Sequence, residues 1–326
     1  MKDAGREVVV ITEGIYEKGR KVFDSVTDLE IAISPADEDT LSEMIKEKNP
    51  CAVVLGVDKY TGSLYEALKK GGIIARFGVG YDGIDLKKAK DNELYVTNTP
   101  GVLESTVAEF TIFLAGEVLR KIGKINEQMR TGKWHPVMGS ELHGKTWAII
   151  GLGKIGKKVS RILTFGFGID VIAFDIINYG QELLTESGVK KMSSIFSEII
   201  PHADIVSVHL PANPDNLNFL NEARLRQFKP GSVLINTGRG SLIDEEALYD
   251  ALKDGVLSGA GLDVFKNEPY TPSDMNKDLR KLDNVVLTPH MASSTTECAK
   301  RMAERVMQNI RYALDHKFEK MDTVQL

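Results

Sequence analysis

The chain has 326 residues, more than one hydrophobic core usually organises, so two domains of ordinary size are expected. Hydrophobic residues make up 42% and charged residues 27% of it, with both signs interspersed, which excludes a disordered protein. The formal net charge of -5 argues against nucleic acid as the main partner, because phosphate binding draws on clustered Lys and Arg.

Short apolar runs alternate with amphipathic helical patterns from one end of the chain to the other. The predicted strands are VVVI (8–11), CAVVLGV (51–57), GIIARF (72–77), TWAII (146–150), DVIAF (170–174), DIVSVHL (204–210), SVLIN (232–236), GAGLDVF (259–265) and NVVLT (284–288). Unbroken apolar strands that alternate with helices are typical of parallel sheets covered on both faces. We therefore predict an α/β protein with two doubly wound, Rossmann-like parallel sheets.

The longest predicted helix runs from about Glu104 to Met129, after the breaker sequence TPG. The strand at Thr146 then starts a new run of βα units, so we place a domain boundary near residue 100. The last helix follows the end of that second run and can pack back on the first domain, which would make the first domain discontinuous. We expect one domain from residues 1–99 and 291–326, and a second from 100–290.

The stretch AIIGLGKIGKKVSRI places Gly151, Gly153 and Gly156 in G-x-G-x-x-G spacing, directly after a strand and before a helix. In that context the first glycine permits the turn, the second lets a pyrophosphate approach the backbone, and the third lets helix and strand pack closely. Asp175 ends the next strand, 19 residues after Gly156, near the offset of about 20 for an acid that binds ribose hydroxyls. The pattern predicts a dinucleotide site.

Two other interpretations of this turn compete with a dinucleotide site. The sequence GLGKIGKK nearly matches the phosphate loop of nucleoside triphosphatases, but Lys158 stands where that loop needs a hydroxyl for magnesium. A glycine turn needed only for packing is the second, and the strand, spacing, helix and acid together disfavour it. Asp175 would repel the 2′-phosphate of NADP and no Arg follows it, so NAD is the predicted cofactor.

Three further segments follow apolar strands of the same predicted sheet and carry Arg239, Glu268 with Asp263, and His290. Ligands bind at the carboxyl ends of strands in such sheets. An Arg can hold a carboxylate, a His can move a hydroxyl proton, and a Glu can fix the imidazole and stabilise its cation. Beside a nicotinamide, this set suits the oxidation of a 2-hydroxy acid.

The remaining cysteines and histidines carry no comparable pattern. Cys51 and Cys298 form neither a disulfide framework nor a CxxC pair, which favours a reducing compartment, and no cluster has metal-ligand spacing. The N-terminus offers four consecutive apolar residues where a signal peptide needs roughly 7–15, and no run approaches the ~20 that span a bilayer. We expect a cytoplasmic protein that has no metal site and does not bind membranes.

The sequence resembles the D-isomer-specific 2-hydroxyacid dehydrogenases, a family that includes phosphoglycerate dehydrogenase and glyoxylate/hydroxypyruvate reductase. The similar motifs run nearly the length of the chain, in the family's order. They are ARFGVGYDGID (75–85), NTPGVLESTVAEF (98–110), GLGKIG, VHLPANPDN (208–216), FKPGSVLINTGRGSLIDEEAL (228–248), GLDVFKNEP and TPHMASST. This resemblance implies an NAD-dependent oxidoreductase that acts on a D-2-hydroxy acid or its 2-keto acid.

The resemblance also implies a role for each matching residue. Arg239 would orient the substrate, and Glu268 would pair with the acid/base His290. In the first domain, flavodoxin-like and substrate-binding, the amides of Val79 and Gly80 would hold the substrate carboxylate, with Arg76 a weaker candidate. Asp263 would hold the nicotinamide carboxamide. The rest of the NAD site would include Thr106, Ile155, Asp175, Pro211 and Thr237, with His209 a weaker candidate.

The resemblance leaves a second function open, because a corepressor branch of the family senses NAD(H) and serves in transcriptional interaction. The complete set of Arg239, Glu268 and His290 favours an enzyme. Glu268 disfavours the formate dehydrogenase branch, which has Gln at that position. By the same resemblance we expect a homodimer joined through the nucleotide domains, with the 104–129 helix contributing.

Overall fold

The computed structural model describes residues 6–325, and these divide into two compact units. Unit 1 takes in the chain up to Leu103 and from Ser294 onward, and unit 2 comprises Glu104–Ser293. Within the described residues, no helix is both long and apolar enough to cross a membrane.

Unit 1 contains a five-stranded parallel sheet with the order β2-β1-β3-β4-β5. Its strands are β1 (Val8–Thr12), β2 (Glu30–Ser34), β3 (Ala52–Leu55), β4 (Ile73–Arg76) and β5 (Tyr95–Thr97). Its first helices are α1 (Glu13–Phe23), α2 (Glu38–Lys48), α3 (Leu64–Ala67) and α4 (Leu86–Asp91). This order is that of a flavodoxin-like doubly wound sheet.

Unit 2 contains a seven-stranded parallel sheet with the order β12-β11-β10-β9-β6-β7-β8. Its helices are α5 (Glu104–Arg120), α6 (Ile122–Arg130), α7 (Lys154–Arg161), α8 (Gln181–Ser187), α9 (Glu222–Leu225) and α10 (Glu245–Lys253). Its strands are β6 (Thr146–Ile150), β7 (Asp170–Phe174), β8 (Val189–Ser193), β9 (Ile205–Val208), β10 (Ser232–Asn236), β11 (Leu257–Leu262) and β12 (Val285–Leu287). The strand order reverses between β6 and β9, as in a Rossmann sheet, and ligands of such folds bind at that reversal.

The last helix, α11 (Thr296–Leu314), belongs to unit 1, where it packs against α1 and β4. Thr295 caps it by accepting a hydrogen bond from the Cys298 N–H at 3.1 Å. Its inner face buries Met302, Val306 and Ile310, which explains its strong apolar periodicity.

The predicted single helix over 104–129 is wrong, because the chain breaks it into α5 and α6. Lys121 between them has a left-handed backbone with φ 56°. Helix α5 packs in the core as far as Leu119, whereas α6 buries none of its residues. Once the apolar stripe ends, packing no longer holds the chain to the same axis, and the helix restarts in a new direction.

Candidate functional site

Six segments that carry predicted site residues leave the sheet of unit 2 at the same edge. All strands of that sheet are parallel, so their carboxyl ends meet there. The segments carry Gly151 after β6, Asp175 after β7, His209 after β9, Arg239 after β10, Asp263 after β11 and His290 after β12. The fold therefore brings these predicted residues together at one edge, around the point where strand order reverses.

The glycine turn has the backbone that a bound pyrophosphate requires. Gly151 has φ +93°, which other residues rarely adopt, and a Cβ on Gly156 would lie 2.3 Å from the Gly151 carbonyl oxygen. Gly153 caps α7, and the space where its Cβ would stand is open. A buried turn thus ends in an exposed helix N-terminus, which suits the diphosphate of a dinucleotide.

Asp175 is 7% exposed, and both of its carboxylate oxygens accept hydrogen bonds from the surrounding backbone. Oδ2 accepts from the Leu152 N–H at 2.7 Å, and Oδ1 accepts from the Ile177 N–H at 2.9 Å. The acid is therefore tied to the glycine turn, and its remaining lone pairs can accept from ribose hydroxyls. Ile176 and Ile177 beside it are exposed and carry no charge that would pair with a phosphate.

His209 presents a buried nitrogen beside the glycine turn. Ser207 Oγ accepts from Trp147 Nε1 at 2.9 Å and lies 3.0 Å from His209 Nε2. Since indole only donates, the hydroxyl can give its one hydrogen to Nε2, which leaves the imidazole hydrogen on Nδ1. Burial lowers the pKa of His209 to about 4, so the ring is neutral. Nδ1 is buried and has no hydrogen-bond partner among residues 6–325.

Arg239 lies in a turn that Asn236 organises at the end of β10. The Asn236 side chain donates to the Arg239 carbonyl at 2.9 Å and accepts from the Gly238 N–H at 3.0 Å. The Arg239 guanidinium donates through Nη1 to the Gly238 carbonyl at 2.8 Å. Asn236 was missed in the sequence, although an Asn at a strand end favours a turn in which its side chain accepts from the N–H two residues on, here that of Gly238.

Asp263 is fully buried and holds the turn that carries His290. Its carboxylate accepts from the Thr288 hydroxyl at 2.6 Å, the Met291 N–H at 2.9 Å and the Ala292 N–H at 2.8 Å. His290 has φ 51°, an uncommon conformation for a residue other than glycine, and its N–H donates to the Asp263 carbonyl at 2.8 Å. Asp263 thus fixes the backbone of His290, and its predicted contact with nicotinamide stays a prediction.

The imidazole of His290 and the carboxylate of Glu268 form a hydrogen-bonded pair. His290 Nδ1 lies 2.7 Å from Glu268 Oε2, and both side chains are partly exposed. Glu268 Oε1 also accepts from the Phe265 N–H at 3.0 Å. This leaves Nε2 of the ring to exchange a proton with a ligand.

The electrostatics of this pair favour an ionised Glu268. Burial by itself would raise the pKa of Glu268. The hydrogen bond from His290, the Phe265 N–H, and the charges of His290 and Arg239 outweigh burial and hold that pKa below its usual value. A carboxylate that stays ionised at neutral pH stabilises the protonated form of its imidazole partner.

In unit 1, the residues predicted to hold a carboxylate lie in a loop after β4. The Val79 carbonyl accepts from Asn98 Nδ2 at 2.8 Å, and the Gly78 carbonyl accepts from the Thr99 N–H at 3.0 Å. Arg76 is buried beneath the loop, with its guanidinium on the Phe77 carbonyl. The N–H groups of Val79 and Gly80 have no protein acceptor among residues 6–325, so both can donate to an anion.

The remaining predicted cofactor residues all belong to unit 2. Thr106 is buried near the start of α5, Ile155 is half-buried on α7, and Pro211 is exposed after β9. Thr237 is 7% exposed, and its hydroxyl lies 2.8 Å from that of Thr111. No three His, Cys, Asp or Glu residues in the described part of the chain form a group that could hold a metal ion.

Residues 112–292 match the family model described as D-isomer specific 2-hydroxyacid dehydrogenase, NAD binding domain. The chain is 37% identical over 310 residues to a glyoxylate reductase of Korarchaeum cryptofilum, covering 93% of this chain and 91% of that protein.

Solved structures with similar folds include the following two. A NADPH-dependent glyoxylate/hydroxypyruvate reductase of Sinorhizobium meliloti, in complex with NADP and malonate, aligns with a TM-score of 0.80 at 29% identity over 95% of this chain and 94% of that one. A D-lactate dehydrogenase of Aquifex aeolicus, with NAD and lactic acid, aligns with a TM-score of 0.79 at 26% identity over 95% and 96% of the two chains.

Proposed function

The chain belongs to the D-isomer specific 2-hydroxyacid dehydrogenase family, and we propose that it is an NAD-dependent reductase of small 2-keto acids such as glyoxylate and hydroxypyruvate. It is an oxidoreductase that transfers a hydride between a nicotinamide dinucleotide and a 2-hydroxy acid/2-keto acid pair. The observation that carries the proposal is the 2.7 Å pair of His290 Nδ1 and Glu268 Oε2 at the carboxyl edge of the sheet.

Each proposed catalytic residue has one task in the reducing direction. Arg239 orients the carboxylate and carbonyl of the keto acid through its planar set of donors. His290, protonated, donates from Nε2 to the carbonyl oxygen as it becomes a hydroxyl. Glu268 stabilises the imidazolium before that transfer and keeps its ring oriented. A nicotinamide dinucleotide held by the glycine turn and Asp175 would supply the hydride, and in the oxidising direction His290, Glu268 and Arg239 would take the reverse roles.

We propose that the consecutive backbone N–H groups of Val79 and Gly80, in the loop after β4 of unit 1, bind a carboxylate. Consecutive N–H groups in a turn favour an anion, and here the braced carbonyls of Gly78 and Val79 keep the loop in place. Small 2-keto acids all carry this carboxylate, which is why the loop suits the class rather than one member of it.

NAD is the proposed cofactor because of Asp175. Its carboxylate can accept two ribose hydroxyls, whereas the 2′-phosphate of NADP would face a buried negative charge. We expect kcat/KM to be at least tenfold higher with NADH than with NADPH, which requires about 1.4 kcal/mol. Equal efficiency with the two cofactors would contradict this choice.

We further propose a homodimer joined through unit 2. Several large apolar side chains are exposed on α5, α6 and the segment that follows, including Phe113 (69% exposed), Trp134 (79%) and Met138 (90%). Exposed apolar groups gathered in one stretch of chain favour a protein partner, and a second copy fits the family resemblance. Sedimentation of a Trp134→Ser, Met138→Ser double variant should give a monomer. A wild-type monomer would overturn the proposal.

The cytoplasm remains the proposed compartment. Cys51 and Cys298 are both buried and form no disulfide, and burial raises the pKa of Cys51 to about 11, so its thiol is unreactive. Reduced, structural cysteines are usual in a reducing compartment.

The test of the proposed activity is NADH consumption with a panel of 2-keto acids. The panel contains glyoxylate, hydroxypyruvate, 3-phosphohydroxypyruvate, pyruvate and bulkier 2-keto acids, with His290→Gln as the inactive control. We expect turnover to be fastest with glyoxylate or hydroxypyruvate. A protein that binds NADH and turns over none of them would instead match the NAD(H)-sensing corepressor, an alternative that the enzyme names of the relatives do not support.

A further inference from the structure

The loop that carries Glu268 is held by a second carboxylate, that of Glu245 at the start of α10. Glu245 Oε1 accepts from the Lys266 N–H at 2.7 Å, one residue along the chain from the Phe265 N–H that binds Glu268. Two consecutive N–H groups of this loop therefore donate to two different carboxylates, one to Glu268 and the next to Glu245. Glu268 is the proposed partner of His290, whereas Glu245 has no part in the proposed reaction steps.

The peptide unit between Phe265 and Lys266 packs closely against the turn that carries Arg239. A Cβ on Gly240 would stand 1.9 Å from the Phe265 carbonyl carbon and 2.4 Å from the Lys266 nitrogen, so only glycine permits this contact. Gly240 follows Arg239 directly, and Glu245 follows Gly240 by five residues. One short segment thus supplies Arg239, supports the peptide between residues 265 and 266, and binds its N–H.

We propose that Glu245 is a positioning residue that fixes the Glu268 loop against the Arg239 turn, and so sets the spacing between the substrate-orienting cation and the acid/base pair. This rests on the proposed roles of Arg239, Glu268 and His290. Without the acceptor at Glu245, the peptide would keep its contact with Gly240 but lose the bond that fixes its rotation. Glu268 would then be held less firmly toward His290.

The surroundings of Glu245 indicate that its hydrogen bond matters more than its charge. Its Oε2 is buried and has no partner among residues 6–325. Burial raises the pKa of Glu245, and the neighbouring charges of Asp244 and Glu268 act in the same direction, while Lys266 opposes them. Glu245 also interacts electrostatically with Tyr270, whose pKa is raised, by burial first and by Glu245 among the smaller causes. A carboxyl group so placed can accept the Lys266 N–H whether or not it is ionised.

The test compares Glu245→Gln, which keeps an acceptor at Oε1, with Glu245→Met, which keeps length but offers no such acceptor. We expect Glu245→Gln to retain kcat within about threefold and Glu245→Met to lower it by about tenfold or more, with KM for NADH unchanged, since this interaction lies away from the glycine turn. In profiles of kcat/KM against pH, we expect Glu268→Gln to move the acid limb of oxidation and the alkaline limb of reduction to lower pH. Glu245→Met should move both limbs in the same direction. Glu246→Gln, at the exposed next position, is the matched control for the charge and the helix end.

The melting temperature and NADH binding of each variant check that it is folded. Glu245→Ala is measured as a second variant without the acceptor, so that an effect of the methionine side chain itself can be recognised. Wild-type kcat and pH limbs in both Glu245→Met and Glu245→Ala would overturn the proposal. An equal loss in Glu245→Gln would overturn it too, because charge and not the hydrogen bond would then be responsible. If Glu268→Gln in the same series also had no effect, the proposed acid/base pair would be at fault rather than the role of Glu245.

Discussion

Two regions at the same edge of the unit 2 sheet are built by different means. The glycine turn of residues 151–156 is made of backbone, and its shape depends on the absence of side chains. The region of Arg239, Glu268 and His290 is made of side chains, and each of these is oriented by another residue, such as Asn236 or Asp263. In the proposed function the first region binds the dinucleotide and the second orients the substrate and transfers a proton. Substitutions in the first should therefore change KM for NADH, and substitutions in the second should change kcat and its pH dependence.

The largest expected effect is that of His290→Gln, which removes the only proposed proton donor and acceptor. General acid/base groups contribute about 10²- to 10⁴-fold, and we expect kcat to fall by that order in both directions. Binding of NADH, followed by fluorescence titration, should stay at the wild-type level because the glycine turn is untouched. Retention of most of the activity would mean that another group transfers the proton.

A somewhat smaller effect is expected for Arg239→Lys, which keeps the charge but loses the planar pair of donors. We expect kcat/KM for the keto acid to fall by a factor that corresponds to a loss of about 2–4 kcal/mol in transition-state stabilisation, by analogy with other positioned donors. KM for NADH measured in the same assay serves as the internal control. Near wild-type efficiency in the lysine variant would reduce Arg239 to a general positive charge.

Two substitutions in the glycine turn should separate its role in the fold from its proposed role in binding the dinucleotide. Gly156→Ala places a Cβ about 2.3 Å from the Gly151 carbonyl and should destabilise the fold by roughly 1–3 kcal/mol, measured by chemical denaturation. Gly153→Ala meets open space in the protein, so stability should hold while KM for NADH rises several-fold. If Gly153→Ala lowered stability as Gly156→Ala does, or left KM for NADH unchanged, Gly153 would not face the cofactor.

The sequence predicted the eight strands that lie inside the two sheets and the edge strand β12, and it missed the other three edge strands. The nine predicted strands are present, while β2, β5 and β8 were not foreseen. An edge strand is covered on fewer sides, so β8 tolerates two lysines, and the apolar run of β2 is only three residues long. β5 has only three residues, too few to show a period.

The candidate site was predictable to a different extent in its two regions. Glycine spacing after a strand carries its own physical reason, so the turn at 151–156 could be inferred without a relative. The Val79–Gly80 loop has no such spacing and came from resemblance alone. Glu245 stayed hidden because its contact with Lys266 joins segments 21 residues apart in the chain and forms only when the sheet brings them together. The side chain of Asn236 hydrogen-bonds to its near neighbours Gly238 and Arg239, so its turn could have been predicted from the local sequence.

The central claim is that Glu268 and His290 act as one acid/base pair, and the pH dependence of Glu268→Gln tests it most directly. Wild-type Glu268 has a lowered pKa and so carries its charge at neutral pH, where it favours the imidazolium. The amide keeps the shape and removes that charge, so the protonated ring becomes less stable. Oxidation needs the neutral ring, and reduction needs the imidazolium.

The measurement is kcat/KM against pH in both directions, on wild type and Glu268→Gln, with NADH binding as the control. We expect the acid limb of oxidation and the alkaline limb of reduction both to move to lower pH, so that reduction at neutral pH suffers more than oxidation. Limbs that stay in place, or that move to higher pH, would contradict the pair and require His290 to titrate against another group.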